Sequence, residues 1–130
     1  MTGKWLNISY IEDFFYTLFQ NKALGEVNVG SKLPDTLSKA ATRMTLVDCG
    51  NMRDLDAYGS GVVLVYLFSK SDGNGKKSVP TMAEMEETVR LLVEKSRHEH
   101  YVISRGATYS DYDSNYDMHY NVVEINLTII

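Results

Sequence analysis

Apolar and polar positions divide this chain into alternating helical and extended stretches. From Ser9 to about Lys22, Tyr10, Ile11, Phe14, Phe15, Leu18 and Phe19 recur at helical spacing and form a wide apolar stripe. Ser9 at the start, with Glu12 three residues later, has the form of a capping box. So little polar surface predicts a helix that buries much of itself against a sheet or a neighbouring subunit. Gly25 is placed to end this element as a left-handed cap. Short strands are expected at Glu26–Val29 and at Thr42–Asp48, where Met44 and Leu46 share one face and Arg43 and Thr45 the other. Pro34 and its polar neighbours between Gly30 and Ala41 suggest an exposed connection.

Cys49 to Gly61, with Gly50, Asn51, Gly59, Gly61 and three charged residues, has the composition of a loop or wide hairpin tip. The unbroken apolar run from Val62 to Phe68 is too short to span a membrane. Its β-branched content predicts a central strand buried on both faces. Ser69–Ser78 reads as a flexible connector. A second helix is expected from Thr81, with Glu84 closing a capping box, to about His100. Met82, Met85, Val89, Leu92 and Val93 form its apolar face, with acidic residues leading and basic residues following to suit the helix dipole. A strand at Tyr101–Ser104 and a turn at Gly106 precede the long segment Tyr116–Ile130. In that segment the apolar parity changes at Val122-Val123, which implies a β-bulge or burial on both sides. The order α-β-β-β-α-β-β predicts a single α+β domain spanning residues 1–130, a mostly antiparallel sheet covered by one or two helices.

Composition adds constraints. With 44% hydrophobic and 23% charged residues in 130, a core can form. A net charge of −4 argues against general nucleic-acid binding, which needs a basic face, although a local basic patch is compatible with it. The single cysteine, Cys49, cannot form an intramolecular disulfide and fits a reducing compartment as a small buried or turn residue. Ser9, Glu12 and Asp13 interrupt the first apolar run, so neither a signal peptide nor a membrane span is expected.

The search for chemistry returns no catalytic set, no cofactor motif and no metal site. Asp111, Asp113, Asn115 and Asp117 match the first four ligand positions of an EF-hand loop. Tyr116 replaces its glycine, however, and Val122 its final glutamate, so a solvated acidic loop is the expected reading. In an extended chain those acidic residues share one face, while Tyr112, Tyr116 and Tyr120 share the other, either as interface or as core. His98 and His100 are two apart and do not share a helical face, and His119 comes from another element. Asp72-Gly-Asn-Gly-Lys76 lacks the spacing of a phosphate-binding loop.

In element order and length, nearly the whole chain resembles the tail terminator (tail completion) proteins of long-tailed bacteriophages. The features that carry the likeness are the short N-terminal helix, strands near Glu26–Val29, Thr42–Asp48 and Gly61–Phe68, the helix at Thr81–His100, the loop-rich Leu33-Pro34 region and the C-terminal β-segment. The resemblance implies a homo-oligomeric ring, commonly hexameric, that caps the tail tube, joins it to the head and lets DNA pass without specific binding. Its implied partners are further copies of itself, the tail tube protein and a head–tail connector protein, with no membrane. Its implied place is the virion tail, assembled in the bacterial host cytoplasm. The segments expected to make subunit or partner contacts are Arg53, Asp54 and Asp56, and Asp111, Tyr112, Asp113 and Tyr116. Nine tyrosines, six methionines and the apolar first helix are compatible with assembly, and equally with a filled core. A monomeric or dimeric adaptor module, or a small ligand-binding domain or enzyme, are the alternatives.

Overall fold

A computed structural model describes residues 3–31, 42–71, 74–113 and 118–130. Helix α1 (Ile8–Leu18) is followed by strands β1 (Glu26–Val29), β2 (Arg43–Asp54) and β3 (Gly59–Lys70). Helix α2 (Val79–Lys95) and strands β4 (Tyr101–Asp113) and β5 (Met118–Ile129) complete the chain. Short 3-10 turns at Gly3–Leu6 and Lys22–Leu24 flank α1. The α+β class and the order along the chain are those the sequence predicts. The sheet is mixed: its five strands lie in the order β1-β2-β3-β5-β4, with β1 parallel to β2 and the other neighbours antiparallel.

Both helices pack on one face of this sheet. Ile11, Phe15 and Phe19 from α1 and its C-terminal cap, spaced by four, join Met82, Met85, Val89 and Val93 from α2. They meet Val47 and Cys49, then Val63, Val65 and Leu67, then Val123, Ile125, Leu127 and Ile129 from the strands. Even-numbered neighbours on β2, β3 and β5 point the other way, since strand side chains alternate. There Met44, Leu46, Phe68 and Met118 form a second buried cluster with Tyr66 and Tyr120. β3 is therefore central, as its unbroken run implies, but the expected burial on both faces is incomplete. The helix face is buried, whereas Val62, Leu64 and Tyr66 on the other face are half-buried and only Phe68 there is fully covered.

Several boundaries differ from the sequence reading, each for a local reason. α1 starts one residue early. Asn7, extended at φ −65° and ψ 130°, stands at the N-cap without a side-chain hydrogen bond, so Ser9 lies inside the helix. Helix α1 also ends before Lys22: Asn21 accepts a bond from the Ala23 N–H (2.9 Å) and opens the following 3-10 turn. Gly25 does have positive φ (66°), but it closes this 3-10 turn. A side chain there would place Cβ 2.2 Å from the Arg43 carbonyl oxygen.

The loop expected at Cys49–Gly61 is mostly strand, because a register shift between Asp48 and Asn51 lets β2 continue to Asp54. Only Leu55–Tyr58 turns, closed by the Leu55 N–H on the Tyr58 carbonyl (2.9 Å). α2 begins at Val79 with Ser78 at its N-cap and Pro80 in its first turn, where a missing N–H costs nothing. Thr81 is thus inside the helix. Instead of closing a capping box, the Glu84 carboxylate pairs with Arg43 (2.9 Å). The helix stops at Lys95 because Ser96 is extended (φ −62°, ψ 140°), which leaves residues 96–100 as a link. The expected turn at Gly106 is a bulge inside β4, between Arg105 and Thr108. β5 pairs with β3 without interruption from Met118 to Ile129, so the parity change at Val122-Val123 reflects burial on both faces and not a bulge. Most of the Gly30–Ala41 connection lies outside the described residues.

Polar side chains fix the helices to the sheet. Arg43 donates to the Ala23 carbonyl (3.1 Å) as well as pairing with Glu84, and the buried Thr45 hydroxyl donates to the Leu24 carbonyl (2.8 Å). At the other side, Lys77 donates to Asn121 Oδ1 (2.6 Å) and Ser110 Oγ (2.9 Å), while the Asn121 amide donates to Glu86. Asn121 is nearly fully buried, so this chain of bonds satisfies a polar group that burial would otherwise penalise.

Candidate interaction surfaces

Asp54 ends β2 and its Oδ1 accepts the Asp56 N–H (3.0 Å), an Asx-type bond that supports the turn. Asp56 itself holds φ 68°, a left-handed conformation that aspartate tolerates better than most residues. Arg53, Asp54 and Asp56 are all exposed. These charged residues thus form the tip of the β2–β3 hairpin, and the local shape depends on the Asp54 carboxylate.

The second acidic segment is the far end of β4. Asp111 Oδ1 accepts the Tyr112 N–H (2.8 Å), and the Tyr120 hydroxyl donates to Asp111 Oδ2 (3.4 Å) across the β4–β5 pair. Tyr112 sits against His119 with ring centroids 4.9 Å apart, on the face that carries the helices. Asp111 and Asp113 are in strand, outside any EF-hand-like loop, whereas Asn115, Tyr116 and Asp117 lie outside the described residues.

The register decides how the two segments relate. Asp54 is level with Gly59, Ile129 and Tyr101 across the sheet, and Arg43 is level with Ser69, His119 and Tyr112. The hairpin tip and the Asp111–Asp113 end therefore lie at opposite ends of the strands. Twelve residues of β3 separate them, roughly 35 Å at the usual rise per residue. They cannot belong to one patch.

Between them, the face away from the helices carries a shallow cleft of about 330 Å³ lined by Asp48, Asn51, Val62, Leu64, Tyr109 and Glu124. Asp48, Leu64 and Glu124 are level with one another in the ladder, so two carboxylates flank one leucine. Tyr109 lies on the neighbouring edge strand with nearly half its surface exposed. An apolar floor with acidic walls suits contact with protein, and a half-exposed tyrosine is a usual component of such surfaces.

A third group was not legible in the sequence. Trp5 and Tyr10 come from the N-terminal turn and α1, Phe14 from α1, His98 and His100 from the α2–β4 link, and Tyr101 from β4. Trp5 stacks on His100 (4.6 Å, 15°) and meets His98 edge-on (5.1 Å), and His98 stacks on Tyr101 (4.4 Å). Only the fold brings partners some ninety residues apart together; the lone tryptophan and paired histidines were the available signal. Burial pushes the Tyr101 hydroxyl up to about 12, with nearby Cys49 adding to it.

Reactive groups are few. Cys49 is buried, and burial, reinforced by Glu12 and Asp48, pushes its thiol up to about 12, so it is a core side chain and not a nucleophile at neutral pH. Among the described residues no three His, Cys, Asp or Glu side chains are placed to hold a metal ion. No helix among them is long and apolar enough to cross a membrane. No protein-family model matches the chain, and no curated protein matches it.

Proposed function

We propose that this chain is a structural protein of a bacteriophage tail, a tail terminator whose copies form a ring on the end of the tail tube and join it to the head. The observation that carries this reading is the placement of its two acidic segments at opposite ends of one sheet. A terminator needs two contact surfaces, one for the tube and one for the connector, held apart by a rigid body. Here the antiparallel β2–β3–β5–β4 core supplies the body, with Asp54 and Asp56 at one end and Asp111 and Asp113 at the other. The order of helices and strands along the chain is the one from which the resemblance was read, and the proposed activity requires no catalytic group. Acidic surfaces also avoid trapping the phosphates of passing DNA.

The test uses isosteric neutralisation, because reversing Asp54 or Asp56 would also disturb the turn they build. Purified protein is mixed with polymerised tail tubes and with heads, and capping and joining are scored by electron microscopy. The wild type is expected to cap tubes. Asp54→Asn with Asp56→Asn, and separately Asp111→Asn, should each impair a different one of the two steps. Wild-type protein that never associates with tubes, or variants that cap and join like the wild type, would overturn the assignment.

A further inference from the structure

We propose that the N-terminal 3-10 turn is a pH-sensitive latch, in which protonation of His98 releases Trp5 from the start of β4 and widens the cleft beside α1 that Trp5 walls. Five contacts hold Trp5, among them edge-on meetings with the rings of Tyr10 (5.8 Å) and Tyr101 (6.0 Å). The Tyr101 hydroxyl donates to the Trp5 carbonyl oxygen (2.7 Å), the Trp5 indole stacks on His100, and its edge contact with His98 completes the seat. Lys4 lies 5.0 Å from the Trp5 ring and 5.6 Å from the Tyr10 ring, which adds a cation–π contact to the same turn.

His98 is the titrating element because its hydrogen bond permits only one protonation state. Its Nδ1 accepts the His100 backbone N–H (2.9 Å), so Nδ1 must be bare. An imidazolium carries protons on both nitrogens, and forming it breaks this bond and moves the ring that supports Trp5 and Tyr101. His100 is held differently. Its Nδ1 donates to the Ile130 carbonyl oxygen (2.8 Å), an arrangement that survives protonation, and a charged ring stacked on the indole would remain favourable.

Charges of both signs lie around His98, and burial weighs most against its charge. From the link, His100 opposes a positive His98, Arg97 adds a cation and Glu99 favours protonation. From α1 come Asp13 and Phe14 and from β4 the phenol of Tyr101, while Lys4 of the N-terminal turn lies over the Trp5 and Tyr10 rings. Burial and then His100 lower the His98 pKa from its usual 6.5, against the opposing pull of Glu99. A histidine that titrates lower in the closed state stabilises that state fully above about pH 6.5 and progressively less as pH falls. The latch is therefore shut at neutral pH and loosens in acid. With the latch shut, Trp5 is one wall of a cleft of about 310 Å³ beside α1, whose other walls include Tyr10, Phe14, Leu18 and Tyr101 with Asp13 and Arg97 at its polar side, and release of Trp5 removes that wall.

Trp5 is the only tryptophan, so its emission reports the latch directly. Emission wavelength and acrylamide quenching are followed from about pH 7.5 to about pH 5, the range in which histidine titrates. The expected result is a red shift with a quenching constant about twofold higher in acid, as a half-buried indole becomes exposed, while the far-ultraviolet signature of the sheet is unchanged. His98→Asn keeps an acceptor for the His100 N–H without a titratable ring and should abolish the change, whereas His100→Asn should retain it. Should His98→Asn misfold, the wild-type Trp5 indole N–H resonance is followed beside the two histidine ring resonances, and its midpoint should coincide with that of His98. Flat emission and quenching, a transition retained in folded His98→Asn, or an indole midpoint that tracks His100 would each overturn the proposal.

Discussion

At the scale of single residues, two positions show chemistry fixed by their surroundings. Gly25 combines a positive φ with a backbone carbonyl where its Cβ would stand, so no relaxation of a flexible side chain relieves the contact. Gly25→Ala should therefore destabilise the protein by about 2–4 kcal/mol, read as a lower midpoint in urea unfolding. Its need for glycine was visible in the sequence, but its partner Arg43, eighteen residues on, was not. Cys49 is the opposite case: burial makes it inert. An aromatic disulfide reagent at about pH 8 should modify it only on the timescale of unfolding, and rapidly once denaturant is added. Immediate labelling of folded protein would contradict its placement in the core.

Among elements, the sequence was most informative where burial imposes a period and least where polar residues hide a strand. The α2 face Met82, Met85, Val89 and Val93 was readable because it faces the core, and the β3 run Val62–Phe68 because Val63, Val65 and Leu67 do so while its other face stays apolar and half-covered. The outer half of β2 was not, since Gly50, Asn51, Arg53 and Asp54 have loop composition while the β2–β3 ladder and its bulge hold them extended. Capping failed as a guide at both helices: Glu84, expected to close a box, is taken by Arg43, a tertiary partner that local spacing cannot reveal. The Lys77–Asn121–Glu86 chain was equally invisible, and it predicts a measurable cost. Asn121→Ala leaves Lys77 and Glu86 without their shared buried partner. It should lower stability by about 1–3 kcal/mol, with faster amide exchange at the start of α2. A smaller effect confined to Asn121 itself would mean that this network does not hold the helix to the sheet.

For the whole molecule, the α+β architecture followed from the order of elements, whereas the relation between the two acidic segments required the register. Sequence spacing placed Arg53–Asp56 and Asp111–Asp113 in separate loops and gave no sign that they lie at opposite ends of the sheet. That separation makes one domain able to face two partners, and it is what the ring proposal uses. The proposal predicts that neutralising either end leaves the assembly of copies intact, because the strands that form the body are untouched. Loss of assembly in Asp54→Asn with Asp56→Asn or in Asp111→Asn would instead place those residues between subunits.

The most direct measurement of the ring proposal is the absolute mass of the protein by light scattering, taken across a concentration series and repeated with tail tube ends present. The account predicts one discrete closed oligomer, formed in solution at high concentration or on the tube, with no larger species as concentration rises. A chain that remains a monomer at every concentration and also on the tube would contradict it, and would point to a protein that binds its partners one copy at a time.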